Sequence, residues 1–302
     1  FIALIIPVLL NNLIGVYISQ MIAGLGQIIF VIAFQSYVGR FSKKKLTDYY
    51  VSIFSIGMAV GHFIGPLISG LIADTVSYAQ SLAWLGIAII FMLPFIFFLD
   101  QREEKRRGAQ DKVDDKRGKS TEFLRNDALR QAFFISAIVL LGKDLFIAYF
   151  PLLAADKGYS NSMIGFIIAL NAAAGILIRM VLPVLLKRFK EYAIVVLSIL
   201  ISGLLFVSLP VFDHLWLVII LSFILGFGLG IGQPLSISLT INLLPHERVG
   251  EGLGLRLTIN KMTQVAGPIV FGAFSSLTGI ASIFYICGAV MIAGAVNVAK
   301  KQ

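Results

Sequence analysis

The sequence has little of what soluble chemistry uses. It holds one cysteine, three histidines and 16 acidic residues in 302 positions. The lone Cys287 excludes an internal disulfide and a cysteine-rich metal centre. No His, Cys, Asp or Glu spacing has metal-ligand form and no nucleophile stands beside a base, so neither metal, cofactor nor catalysis is expected. Gly226, Gly228, Gly230 and Gly232 lie in GFGLGIGQ, which is not GxGxxG and follows no strand, so a phosphate loop is excluded too.

What is present is apolar. Hydrophobic residues make up 58% of the chain and the mean hydropathy is +0.91, which places it in a membrane. Apolar stretches lie near 1–10, 14–38, 49–73, 79–99, 131–154, 162–186, 192–212, 215–240, 252–275 and 279–298. All but the first have the roughly 20 residues that a spanning helix needs. None shows the apolar alternation of a membrane barrel, so the expected fold is all helical.

GLGQ at 24–27 and GPLISG at 65–70 return as GIGQ at 230–233 and GPIVFG at 267–272. The offsets are 206 and 202 residues, so a whole structural unit is duplicated. PVLLNN at 7–12 against PVFDHL at 210–215 fits the same offset. The repeat pairs the first four stretches with the last four and leaves 129 to about 190 without a counterpart. That is a plan of six helices plus six, related by an axis along the membrane normal, in which two helices precede the present start at Phe1. The expected division is 1–99 as a partial N-terminal bundle (helices 3 to 6 of 12), 100–128 as a linker and 129–302 as a C-terminal bundle (helices 7 to 12).

Basic residues set the orientation. Twenty of the 25 Lys and Arg residues fall at 39–48, 100–130, 187–191, 241–251 and the C-terminal tail, and the alternate loops carry only Lys157. The linker and the C-terminus are therefore expected on the cytoplasmic side of the cell membrane. The net charge of +9 is distributed as topology requires and calls for no nucleic-acid partner. Residues 100–128, mixed in charge and nearly free of apolar side chains, build no core and read as a solvated linker.

Ionisable residues inside the stretches are costly and are candidates for chemistry. Asp144, fourteen residues beyond Arg130 and so about 21 Å deep, is the only carboxylate at that depth. A buried carboxyl that gains and loses a proton is what coupling needs, which nominates Asp144 with Lys143 and Arg179; a static ion pair among them is the structural alternative. Lys261 lies roughly 15 Å past Glu251 and Arg179 about 12 Å inside Lys187, where an anionic substrate, Asp144 or helix carbonyls would satisfy them. Arg256, about 7 Å past Glu251, is near enough to the rim to snorkel. His62 reads as a packed histidine. Polar residues recur at helical spacing in 14–38 (Gln20, Gly24, Gln27), in 215–240 (Ser222, Gly226, Gln233, Ser236, Thr240) and in 252–275 (Arg256, Asn260, Thr263, Gln264, Gly267). They line a cavity or serve as interhelical hydrogen bonds. The expected cavity residues are Gln20, Gln27, Asn171, Gln233, Ser236, Asn260, Lys261 and Gln264, with Gln27 and Gln233 as repeat equivalents near the midplane.

Gly61-His62-Phe63-Ile64-Gly65-Pro66-Leu67-Ile68-Ser69-Gly70 resembles the GxxxGPxxGG motif of the proton-linked antiporter branch of the major facilitator superfamily, with Ser69 in place of one closing glycine. PVLLKRFK at 183–190 keeps the basic cluster of that family's loop motif without its glycine or aspartate, and GLRLTINKMTQVAGP at 254–268 resembles the eleventh helix of bacterial members. The resemblance covers the whole chain. It implies a monomeric secondary transporter with the major facilitator fold, moving a small molecule across the bilayer with protons, favouring efflux. Uptake of an organic anion, lipid flipping and sensing are the competing readings. Gly61, Gly65, Pro66 and Gly70, with Gly267, Pro268 and Gly272 in the second half, form the expected packing or gating motif.

Overall fold

The computed structural model describes residues 1–10, 12–41, 47–76, 78–92, 94, 120–244 and 248–300. They form α1 (Ile2–Leu9), α2 (Leu13–Phe41), α3 (Thr47–Thr75), α4 (Tyr78–Met92), α5 (Asp127–Asp156), α6 (Asn161–Arg188), α7 (Glu191–Ser208), α8 (Leu215–Asn242), α9 (Val249–Thr278) and α10 (Ala281–Lys300). A 3-10 helix, Ser120–Arg125, leads into α5, and no strand occurs among the described residues. Residues 100–119 of the expected linker lie outside the described residues. Six of the helices are long and apolar enough to cross a membrane over the described residues: α3 from Gly57, α5, α6, α7, α8 and α10. α9 is as long, but the polar stripe foreseen at 256–267 keeps it out of that group; α2 and α4 qualify only as shorter apolar runs, Leu13–Gln27 and Gln80–Phe91.

Two compact units result, Phe1–Asp115 and Lys116–Gln302. In the first, α1 packs on α2 and α4, α2 on α3, and α3 on α4. In the second, α7 packs on α8 and α10, α8 on α9, and α9 on α10. Each pairing in the first unit thus recurs six helices later, the scheme read from the GLGQ and GPLISG duplication.

Composition explains how the second unit closes. Lipid supplies no hydrophobic drive between helices, so close backbone approach does the work. α8 touches α5, α6, α7 and α9, and its four alternating glycines are what let it. A Cβ on Gly226 would lie 2.3 Å from the Asn171 carbonyl oxygen, one on Gly230 2.7 Å from the Gly175 Cα, one on Gly228 2.1 Å from Ser202 Oγ, and one on Gly232 2.4 Å from a Val139 methyl. α6, α7 and α5 are met in turn. Gly203 on α7 and Gly288 on α10 do the same, and the unit's aromatic core includes Phe146 stacked on Phe150 at 4.7 Å.

Helix ends are satisfied locally. Asn126 Oδ1 accepts from the Ala128 and Leu129 amides to start α5, and Ser160 Oγ accepts from Met163 N–H to start α6. Lys157, at the far end of α5, donates to the Pro210 and Phe212 carbonyls and to Asp213, tying two loops together. On the opposite end, Arg248 lies 4.3 Å above the Phe123 ring and pairs with Glu122 and Glu251, which fastens the 3-10 helix to the start of α9.

Candidate functional site

α9 turns most of its polar residues toward its own unit and exposes a mainly apolar face, on which Thr258 and Lys261 are also exposed. Arg256, Asn260 and Gly267 are buried and Thr263 and Gln264 half-buried, while Leu257, Met262, Val265 and Ile269 are 55–67% exposed. A helix in lipid inverts the soluble pattern in this way, since the polar groups must find partners in protein.

Those partners form two neighbouring clusters. In the first, Arg256 is 3% exposed. Its Nη2 donates to Gln233 Oε1 at 2.6 Å and to Ser236 Oγ at 2.9 Å, and its Nε to Ser236 Oγ at 3.1 Å. Gln233 Nε2 in turn donates to the Ser136 carbonyl at 3.0 Å, and Ser136 Oγ donates to Asn260 Oδ1 at 2.9 Å. Five side chains on α5, α8 and α9 are thereby joined. Arg256 turns inward: Gln233 and Ser236, about one helical turn apart on α8, accept its hydrogen bonds.

The second cluster holds the charges. Asp144, on α5, feels the charges of Lys143 and Lys261 and has the Gln264 side chain as its polar neighbour. Its Oδ2 is buried without a hydrogen-bond partner, and none of the described cations lies within 4.0 Å of it. Lys261 Nζ donates instead to Gln264 Oε1 at 2.8 Å. Lys143 feels both Asp144 and Arg179, and Arg179 Nε donates to the Gly230 carbonyl at 3.3 Å. The sequence offered an ion pair, a carbonyl or a substrate as partner for Arg179, and a helix carbonyl is what it has.

The other nominated residues divide by unit. Asn171 is 9% exposed and donates to the Ser222 carbonyl at 2.7 Å, which makes it a bond between α6 and α8. Gly267 and Gly272 face α5, where an added Cβ would meet Leu141 and the Tyr149 hydroxyl, and that hydroxyl donates to the Pro268 carbonyl at 3.0 Å. In the first unit Gln20 and Gln27 are exposed on α2, and Gly70 is buried. A Cβ at Gly61 or Gly65 meets nothing within 4 Å among the described residues. Ser136 and Tyr149 had no signal of their own; each is a single polar residue in an apolar run, revealed only by the helix opposite.

A family model described as Major Facilitator Superfamily matches residues 1–213 and, a second time, 132–300. A curated relative, an uncharacterized MFS-type transporter of Methanocaldococcus jannaschii, is 25% identical over 254 residues, covering 82% of this chain and 65% of that protein. The chain thus spans less than two thirds of that relative's length. Among solved structures, a POT family transporter in complex with a thioalcohol-conjugated peptide superposes with a TM-score of 0.77 at 14% identity, over 99% of this chain and 78% of that one. A bacterial metal transporter gives 0.69 at 16%, over 95% and 73%. At such identities the two structures speak for the fold alone, which is the major facilitator fold. With the family model spanning nearly all of its length, this multi-pass membrane chain belongs to the Major Facilitator Superfamily.

Proposed function

We propose that the chain serves a secondary transporter that exports a small organic molecule in exchange for protons, with Asp144 as the proton carrier. One observation carries the reading: a carboxyl deep in α5 has an oxygen buried with no partner, between two lysines that do not pair with it. An ion pair that merely fastened α5 to its neighbours would close to contact distance; a group that must be charged in one state and neutral in another is better left unclasped. In this reading Lys143 and Gln264 hold the carboxyl in place. Gln233 and Gln264, which keep some exposure, form the polar wall of the second bundle, backed by the buried Ser236 and Asn260, and Gln20 and Gln27 form that of the first. The bundles are 1–99 and 129–302, joined by 100–128 on the cytoplasmic side, and the GP motifs at Pro66 and Pro268 supply the bends. The protein works as a monomer in the cell membrane.

The test is transport by the complete gene product in vesicles under an imposed pH gradient, after a growth screen against toxic compounds has supplied a substrate. Asp144→Asn should abolish gradient-driven accumulation while exchange without a gradient continues. Gradient dependence unchanged from wild type would remove Asp144 from the mechanism.

A second reading, proton-coupled uptake of an organic anion, is favoured by Lys261. Among the described residues its hydrogen bond goes to the neutral Gln264, and Asp144, whose charge it feels, makes no contact ion pair with it.

A further inference from the structure

Among the described residues six prolines lie inside helices: Pro7, Pro66, Pro151, Pro183, Pro234 and Pro268. Each lacks an N–H, so the carbonyl four residues earlier loses its helical donor, and in lipid a neighbouring helix is what can replace it. Two of these carbonyls are answered that way. Pro7 frees Ala3, and Ser19 Oγ on α2 donates to the Ala3 carbonyl at 2.6 Å. Pro234 frees Gly230, and Arg179 Nε on α6 donates to the Gly230 carbonyl.

The second case is the more consequential, because the surrounding stretch of α8 is weak on both counts that matter. Four glycines precede the proline within seven residues, each costing helix stability relative to alanine. The same stretch then carries the polar cluster. Gln233 stands immediately before Pro234 and Ser236 two residues after it, and both accept from Arg256 on α9. The segment Gly230–Ser236 is therefore held by two arginines from two different helices, Arg179 before the break and Arg256 across it. Arg256 has no part in the proton-coupling reading, and Arg179, nominated there with Asp144, has the Gly230 carbonyl as its hydrogen-bond partner.

We infer that Arg179 and Arg256 are positioning residues for α8: Arg179 stands in for the donor missing at Pro234, and the two together fix where Gln233 and Ser236 point. Arg179 is thereby assigned to the backbone of α8 and not to an anionic ligand. The inference is independent of whether Asp144 carries a proton. It also makes Gly230–Ser236 the segment of α8 that loosens first when either arginine is lost, since local opening begins where backbone bonds are fewest.

A cycle of variants tests it without any ligand. Amide hydrogen exchange of the full chain in detergent is followed across α8 for wild type, Arg179→Leu, Pro234→Ala and the double variant. Arg179→Leu should speed exchange of the amides from Ile231 to Ser236 by about tenfold or more, the factor expected for a lost charge-assisted bond. In the Pro234→Ala background residue 234 supplies the N–H itself, so most of that acceleration should vanish. An equal acceleration in both backgrounds overturns the inference, because a charge acting on a ligand or on Asp144 would not be rescued by a backbone donor. If Pro234→Ala does not fold, Arg179→Lys replaces it: a lysine keeps a donor and should retain protection that Arg179→Leu loses, and matched exchange in the two overturns the assignment. Exchange in Arg179→Leu equal to wild type overturns it as well.

Discussion

Gly226→Ala should separate α6 from α8. The new Cβ would stand 2.3 Å from the Asn171 carbonyl oxygen and 2.8 Å from the Ala174 Cβ, and the first of these is backbone that no rotamer change removes. Forcing a methyl into a packed interface costs about 1 to 3 kcal/mol, set against the roughly 1 kcal/mol that alanine gains over glycine in a helix interior. Displacement of the two helices also stretches the Asn171 to Ser222 hydrogen bond, now at 2.7 Å. Gly254→Ala on α9 is the matched control, since its Cβ meets nothing within 4 Å and only the propensity gain remains. The difference between the two variants isolates the packing term. The protein carries its own reporter: Cys287 is the only cysteine and is fully buried, so a thiol-reactive fluorogenic dye reads unfolding of the second unit directly. The melting midpoint of Gly226→Ala should fall by several degrees relative to Gly254→Ala, by the usual conversion of about 1 kcal/mol to a few degrees. Equal midpoints for the two would refute the claim that backbone proximity at Gly226 joins α6 to α8.

Two functional predictions accompany it. Lys143→Ala should weaken gradient-driven transport less than Asp144→Asn does, because Lys143 is a neighbour of the carboxyl and not the proton-bearing group; transport rates at matched expression decide the order. Lys261→Gln should lower substrate affinity by about tenfold or more if the substrate is an anion, the value of one charge-assisted contact, and leave it unchanged if a neutral or cationic compound is exported. Equilibrium binding to the purified protein reads the difference.

The sequence carried the topology well because apolar length and the GP and GQ repeats are local signals, and the helix pairings within each unit follow them. The site was harder to read. Distance along a helix measures depth but not direction, which is why Arg256 looked like a rim residue although Gln233 and Ser236 draw it inward. Asn171 was grouped with the cavity by its polarity alone; its partner is the backbone of Ser222, and a backbone acceptor has no sequence signature. Gly61 and Gly65 permit a close approach, but permission is all a glycine spacing encodes, and no described residue stands within 4 Å of a Cβ placed there. The Arg179 contact, by contrast, was legible in principle: Pro234 names Gly230 as an orphan acceptor by counting back four residues, and a basic residue on a helix to be packed against it was a candidate donor.

Arg256 offers the sharpest remaining distinction between charge and geometry. It is buried in the second unit with neutral partners; Nη2 reaches both Gln233 and Ser236, and Nε adds a second bond to Ser236. A lysine placed there keeps the charge and, from one atom, can still serve Gln233 and Ser236 as Nη2 does, but it loses the second bond that Nε makes to Ser236 and the rigid plane that sets both directions. Arg256→Lys should therefore fall between wild type and Arg256→Leu, losing one charge-assisted contact worth about 1.5 to 3 kcal/mol where leucine loses them all. If the residue were present only to place positive charge near the cytoplasmic rim, lysine would substitute freely and leucine would not. The Cys287 melting assay separates the two. A midpoint for Arg256→Lys equal to wild type would mean that the charge, and not the fork that joins α9 to α8, is what the position requires.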